Sequence, residues 1–127
     1  MKHIAVVRQP FYNMILNCEK TIESRWSLNK CAPYKRVAKN DIIYFKLPGK
    51  LISAVAEVED AKFYELNSSL AEKIKTLYGK EIGIHKFENW ETYKNKKYLT
   101  LIWLKNIRVI KPFKIEKKNK AGWVIIK

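Results

Sequence analysis

The chain has 127 residues, 47% of them hydrophobic and 30% charged, with 26 Lys and Arg against 12 Asp and Glu and a formal net charge of +14. That length fits one domain spanning residues 1–127 with a core of its own, and the composition excludes a disordered or collagen-like chain. No apolar run approaches the roughly 18 residues of a membrane span, and the segment before Arg8 is too short for a signal peptide, so the chain reads as a soluble cytoplasmic protein.

Residues 3–8 form a short β-branched run that predicts a strand. Pro10 suits a first helical turn, and Phe11, Met14, Ile15 and Cys18 follow at helical spacing. Residues 21–26 alternate: Ile22 and Ser24 face one way, Thr21, Glu23 and Arg25 the other, a strand with an unusual polar face. Residues 27–40 read as a loop containing Pro33. Residues 41–47 and 51–58 predict a hairpin around the turn Pro48-Gly49-Lys50. Residues 68–78 carry Leu70, Ile74, Leu77 and Tyr78 on one helical face, with Gly79 expected as the cap. A short helix is expected over 87–93. Residues 98–110 are the strongest β segment, long enough to require a bend near Asn106, and 122–126 is a terminal strand. Ile42, Val55, Leu101 and Ile125 are expected to be buried, and Trp103 belongs in the core. Strands flanking helical insertions, without regular βα alternation, argue for an α+β chain: a small mixed or mostly antiparallel barrel with helices outside it or over its openings.

Several chemistries lack their signatures. There is no phosphate loop and no dinucleotide glycine pattern. Two cysteines, Cys18 and Cys31, and two histidines, His3 and His85, far apart, give neither a disulfide scaffold nor a metal site, so the cysteines read as free thiols and no metal or cofactor is expected. A cysteine nucleophile paired with His85 has no supporting motif.

The basic residues are unevenly placed. Residues 30–50 carry net +5 and residues 92–127 net +10, whereas 51–91 carry net −3. An A/T-rich genome alone enriches Lys, which outnumbers Arg 22 to 4; the uneven placement argues instead for a basic face that meets a polyanion. The chain is then an RNA-binding module, a hydrolase acting on a nucleoside or RNA, or an adaptor with incidental basicity.

The sharpest local signal is Lys20-Thr21-Ile22-Glu23-Ser24-Arg25-Trp26. Glu23 and Arg25 leave one strand face two residues apart, setting an acceptor beside a planar fork of donors that can read a base edge or grip a phosphate. Lys20 adds a charge just before. The plain alternative is a solvated face with a weak ion pair. Trp26 and Trp123 can stack on a base or plug the barrel, and Tyr34-Lys35-Arg36 interleaves an aromatic with two cations as single-stranded contacts do. Lys46, on the hairpin, is a further nucleic-acid-binding candidate, and loop lysines would grip phosphates.

Residues 15–25, with the core Lys-Thr-x-Glu-x-Arg, resemble the signature of the ASCH (activating signal cointegrator homology) domain family. The likeness continues through Ala32-Pro33-Tyr34, residues 41–46, 54–58 and 98–104, and ends at Gly122-Trp123-Val124-Ile125. It implies a PUA-like β-barrel with helical insertions and a cleft lined by that core, binding RNA, a nucleoside or a nucleotide. Some small bacterial members resemble amidohydrolases that deacetylate N4-acetylcytidine, and another is described as a ribonuclease. In the amidohydrolase branch the position of Glu23 is a nucleophilic Thr; Thr21 and Ser24 lie one and four positions after Lys20 rather than three. A hydrolase here would therefore rely on Glu23 as base and Lys20 as oxyanion partner. The family's glycines correspond to Cys18 and Asn40, which implies left-handed backbone at both, more readily adopted by Asn40, with Asn17 able to take the helix cap instead.

Overall fold

The computed structural model describes residues 1–84, 90–116 and 121–126. Six strands and three helices follow one another as β1 (Lys2–Val6), α1 (Phe11–Leu16), β2 (Ile22–Ser27), β3 (Ile42–Lys46), β4 (Ile52–Glu65), α2 (Ser68–Ile82), α3 (Trp90–Lys94), β5 (Tyr98–Phe113) and β6 (Trp123–Ile126). The strands form one sheet in the order β2-β5-β4-β3-β1-β6, with β1 and β3 parallel and every other pair antiparallel. The sheet curls into a half-barrel, bringing its two ends close: an Arg25 side chain on β2 reaches the carbonyls of Val6 and Gly122.

Strand alternation sorts the apolar residues into two clusters. Ile102 and Leu104 of β5 point inward with Ile43, Phe45, Ala54, Ala56, Val58 and Trp123. Leu99 and Leu101 point outward and pack with Ile22 under Ile74 and Ile82 of α2. Each fully buried Ile, Leu or Phe contributes about 1.5–3 kcal/mol relative to exposure. Val55 and Leu101 are buried as expected. Ile42 is only half-buried, because the register turns Ile43 and Phe45 inward instead, and Ile125, on the edge strand β6, is half-buried against the inner cluster. Trp103 is likewise half-buried; it lies on the outer face against Tyr78, with Lys62 over its ring.

Backbone caps and left-handed residues set the element ends. Helix α1 closes with Asn17 at its cap and Cys18 at φ 60°; the Cys18 N–H donates to Ile15 O at 3.1 Å and the Glu19 N–H to Met14 O at 2.9 Å. This is a Schellman closure with a non-glycine residue in the left-handed position. Asn40 also takes a positive φ, 74°. Helix α2 starts at Asn67, whose side chain accepts from the Leu70 N–H at 2.8 Å, and ends not at Gly79 but at Gly83, φ 93°. The left-handed backbone favours glycine there, and a Cβ would lie 2.9 Å from the end of the Met14 side chain, which would have to shift. Gly79 lies inside the helix. The bend expected in β5 falls at Asn106, φ 53°, whose side chain donates to Glu57. Strand β4 runs on to Glu65, beyond the expected end at 58, because pairing with residues 98–103 of β5 carries its charged second half. The expected helix over 87–93 is found as α3 from Trp90; residues 87–89, His85 and residues 117–120 of the basic stretch lie outside the described residues.

Candidate nucleic-acid interface

The gap where the curled sheet fails to close, between β2 on one side and the ends of β1 and β3 on the other, is a cleft of about 930 Å³. Lys20, Glu23, Arg25, Trp26 and Lys46 all line it. The Schellman turn after α1 reverses the chain so that Lys20 enters immediately before β2; the Lys20 N–H donates to Met14 O, and the Thr21 N–H to Glu81 O. From that position the Lys20 side chain runs under the end of α2, its ammonium donating to the Ile82 carbonyl and lying 5.3 Å above the Phe11 ring.

Glu23 is the centre of the array. One carboxylate oxygen accepts from the Ser24 N–H at 2.9 Å and lies 3.6 Å from Lys20 Nζ; the other accepts from Arg25 at 3.4 Å. Lys20 and Glu23 are only 3% and 4% exposed. Burial pushes the Glu23 carboxyl up, but Arg25, Lys20 and the Ser24 N–H outweigh it and hold the group below its ordinary value, as a carboxylate. Burial lowers the Lys20 pKa from the usual lysine value, with Glu23 opposing and Arg25 adding to the shift. Arg25 is partly exposed. Its guanidinium donates to Val6 O at 3.0 Å and to Gly122 O at 3.4 Å and stacks 5.1 Å over the Trp123 ring, while its Nε is buried without a partner among the described residues.

The cleft also has an apolar and aromatic lining: Phe11, Trp26, Ile82, Ile84 and Tyr93. Trp26 and Tyr93 meet edge to face at 5.4 Å, and the Trp26 indole N–H is held by Ser24 Oγ. Burial, reinforced by the nearby Glu23 charge, raises the Tyr93 pKa, so the phenol is neutral.

The other candidates lie apart. Trp123 is buried; its indole N–H donates to His3 Nδ1 at 3.0 Å, and Arg25 covers its ring, so it supports the cleft floor as a barrel plug. Tyr34 is buried between Phe63 and Tyr98 and has no face left for a base. Lys35 and Arg36 are exposed beside it, away from the cleft lining. Sequence reasoning missed Arg8, Phe11, Ile82, Ile84 and Tyr93. They arrive from the β1–α1 link, α1, the end of α2 and α3, and no local spacing ties them to residues 20–26. Cys18 and Cys31 are free and exposed. Among the described residues no cluster of ligating side chains can hold a metal ion, and no helix is long and apolar enough to cross a membrane.

The half-barrel with helices folded over its open seam defines the class: a small α+β PUA-like barrel. More narrowly, the chain has the fold of ASCH domain proteins. The ASCH protein of Zymomonas mobilis superposes with a TM-score of 0.66 at 18% identity, covering 87% of this chain and 71% of that one. A point mutant of the same protein gives 0.66 at 17% identity, over 88% and 74%. The hypothetical protein PH0355 superposes at 0.53 with 19% identity, over 87% of this chain and all of the other. No family model and no curated protein matches the sequence.

Proposed function

We propose that the chain is an RNA-binding domain, one cytoplasmic unit working without a cofactor, that takes a base or short single strand into the seam cleft. The observation that carries this is the combination in one cleft of a fixed polar array, Lys20–Glu23–Arg25, with the aromatic pair Trp26 and Tyr93. The polar wall presents acceptor and donor groups to a base edge, and the aromatic wall presents π-faces and ring edges. An unstacked base fits such a site, whereas a base inside a duplex cannot enter it. The fold and the basic balance of the chain agree with this reading.

The test is fluorescence anisotropy with a labelled single-stranded RNA of eight mixed-sequence residues across a salt series. Binding should weaken steeply with salt and be weaker in Arg25→Ala than in the wild type at every salt concentration. Affinity flat in salt, or unchanged in Arg25→Ala, contradicts the proposal.

One observation favours a hydrolase acting on a modified nucleoside or on RNA: a lysine of lowered pKa and a carboxylate share the cleft, and shifted ionisable groups cluster at catalytic sites. The state of Glu23 weighs against it. A carboxylate held below its ordinary pKa, with both oxygens engaged, is a weak general base near neutral pH.

A further inference from the structure

We propose that Arg8 and Lys46 form a phosphate seat at the mouth of the cleft, so that the occupant is a nucleotide, free or within a strand, rather than a nucleoside. This rests on the cleft taking a base as proposed above. The parallel pairing of β1 with β3 sets Val6 opposite Lys46, and the Val7 N–H donates to Lys46 O at 2.9 Å. Arg8 is the next residue, where the chain leaves the sheet, so the register brings both cations to the same rim. Both line the cleft, and neither is ion-paired among the described residues. The rim continues into the turn Pro48-Gly49; Gly49 has φ 72°, and the space where its Cβ would stand is empty to 4 Å, so nothing crowds an anion there.

Charge balance supplies the second argument. Among the described residues the cleft is lined by four basic side chains, Arg8, Lys20, Arg25 and Lys46, and one carboxylate, Glu23. Glu23 already serves Lys20 and Arg25. It leaves nothing for the two rim cations. A neutral nucleoside that strips water from this surface returns no charge to them, whereas a phosphate restores the lost hydration as charge-assisted hydrogen bonds. Size agrees: at about 930 Å³ the cleft is near the top of the usual range for ligand sites and holds more than a base. The aromatic lining comes from β2 and α3, at Trp26 and Tyr93, and the rim cations from the ends of β1 and β3, so one cavity offers both a surface for a base and a seat for its phosphate.

The experiment titrates the protein by calorimetry with the four nucleosides, the four 5′-monophosphates, inorganic phosphate, and an eight-residue RNA without terminal phosphates. It is repeated with Arg8→Ala and Lys46→Met, whose folding is checked by thermal melts. The seat predicts monophosphates binding about 10-fold or more tightly than nucleosides, a ratio that collapses in both variants. If the RNA also loses affinity in the variants, an internal phosphodiester occupies the seat; if only the monophosphates do, a terminal phosphate does. Nucleosides binding as tightly as monophosphates, or variants that weaken both equally, overturn the seat and leave the base cleft standing. Failure of every nucleoside, nucleotide and RNA to bind overturns the cleft reading itself.

Discussion

Arg25 spans the seam of an unclosed barrel: from the edge strand β2 its guanidinium donates to the Val6 carbonyl at the end of β1, next to the other edge strand β6, at 3.0 Å. The same guanidinium accompanies Glu23 and covers Trp123, so the residue that holds the seam also shapes the floor of the cleft. Removing it by Arg25→Ala should weaken RNA binding by one or two charge-assisted hydrogen bonds, about 1.5–3 kcal/mol each, part of that being RNA groups left unpaired. Arg25→Lys keeps the charge but not the planar fork and should restore only part of the affinity. Anisotropy titrations of the three proteins at one salt concentration check this; full recovery in Arg25→Lys would mean that charge alone matters.

Glu23→Gln separates binding from catalysis. A general base contributes about 10²–10⁴-fold. Under the binding account neither the wild type nor Glu23→Gln releases acetate from N4-acetylcytidine or cleaves short RNAs. Turnover by the wild type that vanishes in Glu23→Gln would move the chain to the hydrolases.

The polar face of β2 was legible because alternation is a local property: Glu23 and Arg25 sit two apart, and the array forms where the spacing put it. The left-handed turn at Cys18 was legible from the family likeness, although a cysteine rather than a glycine fills it. The rest depended on distant pairings. Tyr34 reads as a loop aromatic beside two cations, yet the β4–β5 ribbon brings Phe63 and Tyr98 to it and buries it. Trp26 was legible, but Phe11, Ile82, Ile84 and Tyr93 were not, because the tertiary fold brings α1, the end of α2 and α3 to β2 and no local spacing ties them to it. Helix α2 overran Gly79 because Gly83, pressed against Met14, is where the left-handed cap is needed.

The turn after α1 gives a stability prediction. Cys18 holds φ 60° inside a Schellman closure, a conformation that costs a side-chain-bearing residue about 1–2 kcal/mol and glycine almost nothing. Glycine's greater freedom in the unfolded chain returns part of that gain. Cys18→Gly should therefore stabilise the protein by about 0.5–1 kcal/mol, and Cys18→Ala should not. Urea denaturation measures both; a destabilised Cys18→Gly would mean that the thiol makes a contact worth more than the strain.

His3 gives a pH prediction. Its Nδ1 accepts from Trp123, which leaves the ring proton on Nε2 to donate to Asp41 Oδ2 at 2.8 Å, a neutral imidazole fixed at both nitrogens. Burial lowers its pKa from the ordinary 6.5; Asp41 opposes the shift, and the Met1 amino group and Arg36 reinforce it. The unfolded chain then takes up this proton first as the pH falls. The stability is fully present above pH 6.5 and is lost as the pH falls from there toward the lower folded value. Thermal melts should show a declining Tm over about pH 7 to 5 for the wild type and a flatter profile for His3→Gln, whatever that variant's absolute stability. Equal slopes would remove His3 from the account.

The central claim is that the seam cleft, and not the basic surface at large, receives the nucleic acid. Backbone and indole NMR shifts during titration with an eight-residue single-stranded RNA test it directly. The account predicts the largest perturbations at Ser24, Arg25, the Trp26 indole, Ile84 and Tyr93, with smaller ones at Arg8 and Lys46. Perturbations confined to Lys35, Arg36 and the basic end of β5 around Lys105, Arg108 and Lys111, with the cleft signals unmoved, would contradict it.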